Sequence, residues 1–128
     1  MTVAIVRLGS PRLPGEGTRI GTVRRPPRGV PKTEYAKRDF YDVWMPLLSP
    51  TPELVALAMK AQTPGQWETF RKRFRSQMAR DDASRVLQML ALLSKSSNFS
   101  VGCYCEEESR CHRSVLRELL QELGGVVE

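Results

Sequence analysis

The chain is poor in the residues that usually advertise chemistry: 128 residues hold three cysteines and a single histidine. An odd number of thiols cannot all pair, and a chain of this length can bury a core without covalent staples, so the clustered cysteines read as metal-binding or reactive rather than as disulfide staples. No stretch approaches the ~18–20 apolar residues of a membrane helix. The first ten residues lack the apolar core of an export signal, so a reducing, cytoplasmic setting is expected and no membrane partner. Aromatic residues make up 7% of the chain and are scarce among its basic runs, which argues against stacking on bases as a main activity. There is no internal repeat and no low-complexity segment, and the simplest organisation is one domain over residues 1–128.

What is abundant is positive charge, unevenly placed. The net charge is +6, yet the segment Arg7 to Arg38 alone carries nine basic residues against two acidic ones, Glu16 and Glu34. A second run, Arg71-Lys72-Arg73 with Arg75, lies in mid-chain. Such patches favour phosphate-bearing partners, or serve as a solvated surface that keeps the protein soluble.

The elements can be read in order. Thr2 to Val6 is a β-branched run suited to a buried strand, and Thr18 to Val23 is a second, less regular one. Between them, residues 9–17 are punctuated by Gly and Pro and read as a loop. Three prolines in Arg24 to Pro31 forbid regular structure there. Residues 33–44 fit either a broken helix or an ordered loop. Thr51-Pro52-Glu53 is a cap, a first-position proline and a first-turn acid, predicting a helix to about Lys60. Thr63-Pro64 repeats the device and opens a helix with Trp67, Phe70, Phe74 and Met78 on one face, a core stripe rather than a cofactor box. A third helix spans about Ala83 to Leu93, a strand Asn98 to Cys105, and a last helix Ser114 to Leu123, closed by Gly124-Gly125. Strands at both ends with helices between them predict an α/β fold: a small single domain with a mostly parallel short sheet flanked by helices, three clear strands at most.

Every cysteine and the histidine fall in Cys103-Tyr-Cys105-Glu-Glu-Glu-Ser-Arg110-Cys111-His112-Arg113. The segment sits where a strand ends and a helix begins, the crevice in which open α/β sheets bind ligands. Three chemistries compete. Cys103, Cys105, Cys111 and His112 are ligands of the right kind for zinc, but five residues separate Cys105 from the adjacent Cys111-His112 pair, and helical neighbours point about 100° apart; no metal and no cofactor is therefore assigned. Thiolate chemistry would use Cys111, near the helix amides that lower a thiol pKa, or Cys105 at the strand end. Anion binding would use Arg113, Arg110 and His112 with Arg24, Arg25 and Arg28 approaching from the other strand end. Cys103 by itself reads as a small buried strand residue.

Several landmarks together resemble the domain-of-unknown-function 488 family, in particular its small YeaO-like branch. Arg24 to Lys32, containing Pro27-Arg28-Gly29-Val30, resembles the family's Asp-Arg-Leu-Trp-Pro-Arg-Gly-Val-x-Lys segment. Leu48-Ser-Pro-Thr-Pro-Glu53-Leu54 resembles its Leu-Ala-Pro-Ser-x-Glu-Leu, and Trp67 to Phe74 its Trp-x-x-Phe-Arg-x-x-Tyr helix. Cys103 to Arg113 resembles its strand, acidic loop and Cys-His-Arg element. Val23 and Pro26 stand where the family pattern has aspartate and tryptophan. The resemblance runs from Ile5 to about Leu120. It implies a compact α/β domain, singles out Arg24, Arg28, Cys105, Cys111, His112 and Arg113, and implies no established reaction.

The expected site therefore gathers Arg24, Arg28 and Arg113 as anion-binding groups and Cys105, Cys111 and His112 as catalytic groups, with Glu106 beside them. The expected ligand is a phosphate-bearing small molecule or nucleic acid. Both classes stay open at this point: an enzyme of Cys/His/Arg chemistry, and a non-enzymatic binding module, zinc-stabilised or binding nucleic acid through its basic face. Nothing in the sequence sets the oligomeric state.

Overall fold

A computed structural model describes residues 1–128. Four strands, β1 (Val3–Arg7), β2 (Thr18–Gly21), β3 (Val43–Trp44) and β4 (Phe99–Cys103), form one sheet in the order β1-β4-β2-β3, every pair parallel. Four helices, α1 (Pro52–Lys60), α2 (Pro64–Met78), α3 (Asp81–Leu93) and α4 (His112–Glu122), carry the chain from β3 to β4 and away from it. The expected parallel α/β domain is the observed one. The fourth strand is β3, a two-residue edge pair in the segment the sequence left ambiguous. No helix is long and apolar enough to cross a membrane.

The last strand in the chain takes the centre of the sheet. All five residues of β4 are buried, as a strand covered on both faces requires. Phe99 and Val101 join Val3 and Ile20 in a core of sixteen residues with Leu54, Phe70, Phe74, Met78, Leu87, Leu116 and Leu120 from the helices. All four helices thus pack on one face. The alternate residues, Ser100 and Gly102 of β4 and Arg19 and Gly21 of β2, face the other way and are covered by loops.

Close approach explains the two glycines of that back face. A Cβ on Gly21 would lie 2.4 Å from the Tyr41 ring, and one on Gly102 would lie 2.7 Å from Leu8 and 2.8 Å from the Val6 carbonyl. Beside them Arg19, with no exposed surface, donates from Nε and Nη2 to both oxygens of Glu16 at 2.8 and 3.0 Å, and from Nη1 to the carbonyls of Ser10 and Asp39. This buried pair clamps loop 9–17 and the chain before β3 onto the sheet.

The helix ends follow the caps read from sequence. The Thr51 hydroxyl accepts from the Leu54 amide, and Thr63 and Gln66 form a reciprocal capping box. Gly124, with φ of +84°, ends α4. Beyond it the tail pairs with the edge of β1, Val3 donating to the Val126 carbonyl at 2.9 Å, which covers an otherwise open strand edge. One boundary matters for function: α4 begins at His112, two residues before the expected start, with Cys111 as its extended N-cap (φ −126°, ψ 150°).

Candidate functional site

Parallel strands end together, so the chain leaving β2 (Thr22 to Arg28) and the chain leaving β4 (Tyr104 to Cys111) emerge side by side. Tyr104 donates its hydroxyl to the Arg25 carbonyl at 2.9 Å, fastening one exit to the other. Arg24 donates to the carbonyls of Ser49 and Pro50 at 3.1 Å, which fastens the Pro-rich loop to the start of α1. Between these ties lies a cavity of about 560 Å³. Its rim is Arg24, Arg25, Arg28 and Arg110, one wall is Val55, Ala58 and Met59 of α1, and its floor is Cys103, Cys105, Cys111 and His112. No acidic residue lines it.

The sequence-predicted residues do not all arrive. Arg24, Arg28, Cys105, Cys111 and His112 share the cavity. Arg113 does not line it: its side chain is buried behind the floor, 3% exposed, donating from Nη2 to the Cys105 carbonyl at 2.8 Å. Glu106 turns away to Arg7 at 3.7 Å, and Glu108 is held by Arg117 at 2.5 Å. The acidic loop therefore spends its charge outside the cavity. The mid-chain basic run is half occupied: Arg71 pairs with Glu68 and Glu118 and Arg75 with Glu118 and Glu122, while Lys72 and Arg73 are exposed.

On the floor the groups are in contact. Sγ of Cys103 lies 3.8 Å from Sγ of Cys105, and Sγ of Cys111 lies 3.8 Å from Nδ1 of His112. Cys103, Cys111 and His112 each bring one ligand atom within 4.8 Å of the others. His112 Nε2 lies 2.7 Å from the Thr22 carbonyl. A carbonyl only accepts, so Nε2 carries the proton and Nδ1 presents its lone pair to the sulfurs. The Phe74 ring meets the imidazole edge-on, centroids 5.5 Å apart, at the end of a stack from Trp67 through Phe70. The aromatic stripe of α2 is core, as expected, and its inner end seats the histidine.

The electrostatics redistribute the thiol roles. Cys105, the exposed member, is held well below the usual thiol range because Cys103 and Cys111 donate to its sulfur and the charge of Arg113 acts on it. Cys103 is pushed up by its contacts with Cys105 and Cys111 and by burial. Cys111 is also raised, the contact with Cys105 and burial outweighing its donor Cys103 and the helix amides. Of the two thiols the sequence offers for thiolate chemistry, Cys105 is lowered, whereas Cys111 is raised by its contact with Cys105 and by burial. Burial also lowers the His112 pKa to about 4, so the imidazole is neutral near pH 7.

Two participants had no signal in the sequence. Thr22 acts through its backbone carbonyl, and the α1 wall comes from a remote part of the chain. These contacts exist only once β2, β4 and α1 are brought together.

No curated protein and no solved structure matches this chain. A family model, DUF488-N3a, described as the active DUF488-N3 subclade, matches residues 3–124. The sheet exits, the Pro-Arg-Gly loop and the Cys-His-Arg turn all lie inside that match, and the chain belongs to the DUF488 family.

Proposed function

We propose that the cavity binds a phosphate-bearing small molecule of the nucleotide class. The observation that carries this reading is a concave site of about 560 Å³ with four arginines and no carboxylate on its lining. That volume falls in the range of small-ligand sites. Arg28 and Arg25 are exposed and offer their guanidinium forks to a phosphate, while Arg24 keeps Nη1 free after its bonds to Ser49 and Pro50. Val55, Ala58 and Met59 offer an apolar wall to a base or similar body.

His112 is a poor proton shuttle toward a ligand, because Nε2 is committed to Thr22 and Nδ1 to the sulfurs. Arg113 supports the floor from behind, acting on the Cys105 sulfur by charge. A small ligand is favoured over nucleic acid because Arg24, Arg25, Arg28 and Arg110 converge on a cavity, whereas Arg71 and Arg75 of the second basic run are paired with Glu118 and Glu122 and only Lys72 and Arg73 of that run stay free.

The test is calorimetric binding of nucleoside mono-, di- and triphosphates to the wild type and to Arg28→Ala. Binding that weakens at least about tenfold in the variant, with unchanged thermal stability, is expected for a lost charge-assisted pair. Absence of binding by all three, or an unaffected variant, refutes the reading. A steep salt slope with oligonucleotides and none of these nucleotides bound would transfer the function to nucleic acid.

A further inference from the structure

We propose that Cys103, Cys105, Cys111 and His112 are the four ligands of one zinc ion, a closed site beneath the phosphate cavity. The inference goes beyond the cavity reading and stands on the donor positions alone.

The first argument is spacing in space rather than in sequence. Zinc–sulfur bonds of ~2.3 Å in a tetrahedron put sulfurs about 3.8 Å apart, and a zinc–nitrogen bond of ~2.0–2.1 Å puts sulfur and nitrogen about 3.5 Å apart. The Cys103–Cys105 sulfur separation is 3.8 Å and the Cys111 Sγ to His112 Nδ1 separation is 3.8 Å. Cys103, Cys111 and His112 hold their ligand atoms within 4.8 Å of one another, and Cys105 adjoins this group through Cys103, so Cys105 is the ligand that must swing in to complete the tetrahedron.

The second argument removes the sequence objection. Neighbours on a helix diverge by about 100°, but Cys111 is not helical. As N-cap it is extended (φ −126°, ψ 150°), and the Glu108–Arg110 turn before it brings the chain back under β4. An adjacent Cys-His pair straddling a helix start therefore points both ligands inward.

The third argument is the surroundings. Metal-bound histidine characteristically donates its second nitrogen to a carbonyl or carboxylate, which fixes tautomer and ring plane. His112 does this to Thr22 at 2.7 Å and is further held by Phe74. Zinc with three thiolates and a neutral imidazole carries a net charge of about −1. Directly behind it lies Arg113, 3% exposed, with no carboxylate partner and with Nε unbonded. A buried guanidinium without a counter-charge is costly, and the anionic site supplies one. Three soft thiolates and one imidazole select zinc over oxygen-seeking cations, and four protein ligands leave no open position, the pattern of a structural ion.

The experiment is metal analysis of the purified protein followed by exchange with cobalt(II). One zinc per chain is expected, with a cobalt form showing tetrahedral d–d bands and sulfur-to-cobalt charge transfer. Cys105→Ser changes the exposed ligand and spares the buried core; it should cost more than the ~10–100-fold in affinity that outer partners cost, and weaken the charge-transfer band. Arg28→Ala should leave both readouts unchanged even where it abolishes nucleotide binding, so the two proposals fail separately. Substoichiometric zinc with three freely titrating thiols overturns the site, as does a disulfide among them or a Cys105→Ser variant with unaltered cobalt affinity and spectrum.

Discussion

Replacing Glu16 by glutamine tests the clamp that holds the back of the sheet. Arg19 has no exposed surface, and Glu16 is its only carboxylate, bound through two oxygens at 2.8 and 3.0 Å. The same oxygens accept from Ser100 Oγ at 2.9 Å and the Leu13 amide at 3.2 Å. An amide nitrogen at either oxygen position therefore faces only donors, and the guanidinium keeps its charge with nothing to balance it. Breaking a buried pair from one side costs about 3–5 kcal/mol, a large share of the ~5–15 kcal/mol that stabilises a domain. At ~2.1 cal/mol/K per residue this lowers Tm by roughly 11–19 °C, read by calorimetry at pH 7. Removing both charges with Glu16→Leu and Arg19→Met should recover much of the loss.

The same pair sets a pH dependence. Burial pushes the Glu16 carboxyl up, but the hydrogen bonds from Arg19, Ser100 and Leu13 outweigh it and hold the pKa below the ordinary 4.5. A carboxyl depressed in the folded state stabilises at pH above its unfolded value, and the contribution disappears as pH falls through the folded value. The gap between wild type and Glu16→Gln is therefore flat above about pH 6 and narrows steadily in acid. A variant whose Tm stays within about 3 °C of wild type at pH 7 refutes the reasoning.

Gly102→Ala should destabilise by about 1–3 kcal/mol or more, because its Cβ would meet the Val6 carbonyl at 2.8 Å, a backbone atom that cannot swing aside. An unchanged urea midpoint would refute that close approach. Glu118→Ala, which removes the acid shared by Arg71 and Arg75, should cost below about 1 kcal/mol, since all three side chains are partly solvated. A loss above about 2 kcal/mol at moderate salt would show the α2–α4 ion network to be structural.

The elements were legible because local rules made them. Thr51-Pro52 and Thr63-Pro64 mark helix starts by hydrogen bonds within a few residues, and Phe70, Phe74 and Met78 mark a buried face by period. β3 escaped notice because two residues have no period to read, and its pairing with Ile20 and Gly21 is set by the sheet. The start of α4 at His112 lies two residues ahead of the sequence expectation for a related reason. Cys111 as a cap makes no side-chain bond to the helix amides, so no capping signal marks it.

The site divides along the same line. The sequence by itself determined that the cysteines and the histidine crowd one strand-to-helix turn, that the chain is basic, and that Arg24 to Arg28 forms an irregular loop, because composition and proline geometry are local properties. Tertiary structure decided the rest. It set the order of strands that puts the β2 and β4 exits side by side, the thiol contacts and burial that raise Cys111 and leave Cys105 the acidic thiol, and the Thr22 carbonyl that fixes the His112 tautomer. It also turned Glu106 and Glu108 away from the cavity and left Arg113 buried without a carboxylate. Charge and protonation depend on distance and solvent access through space, and neither is encoded in the spacing of residues along the chain.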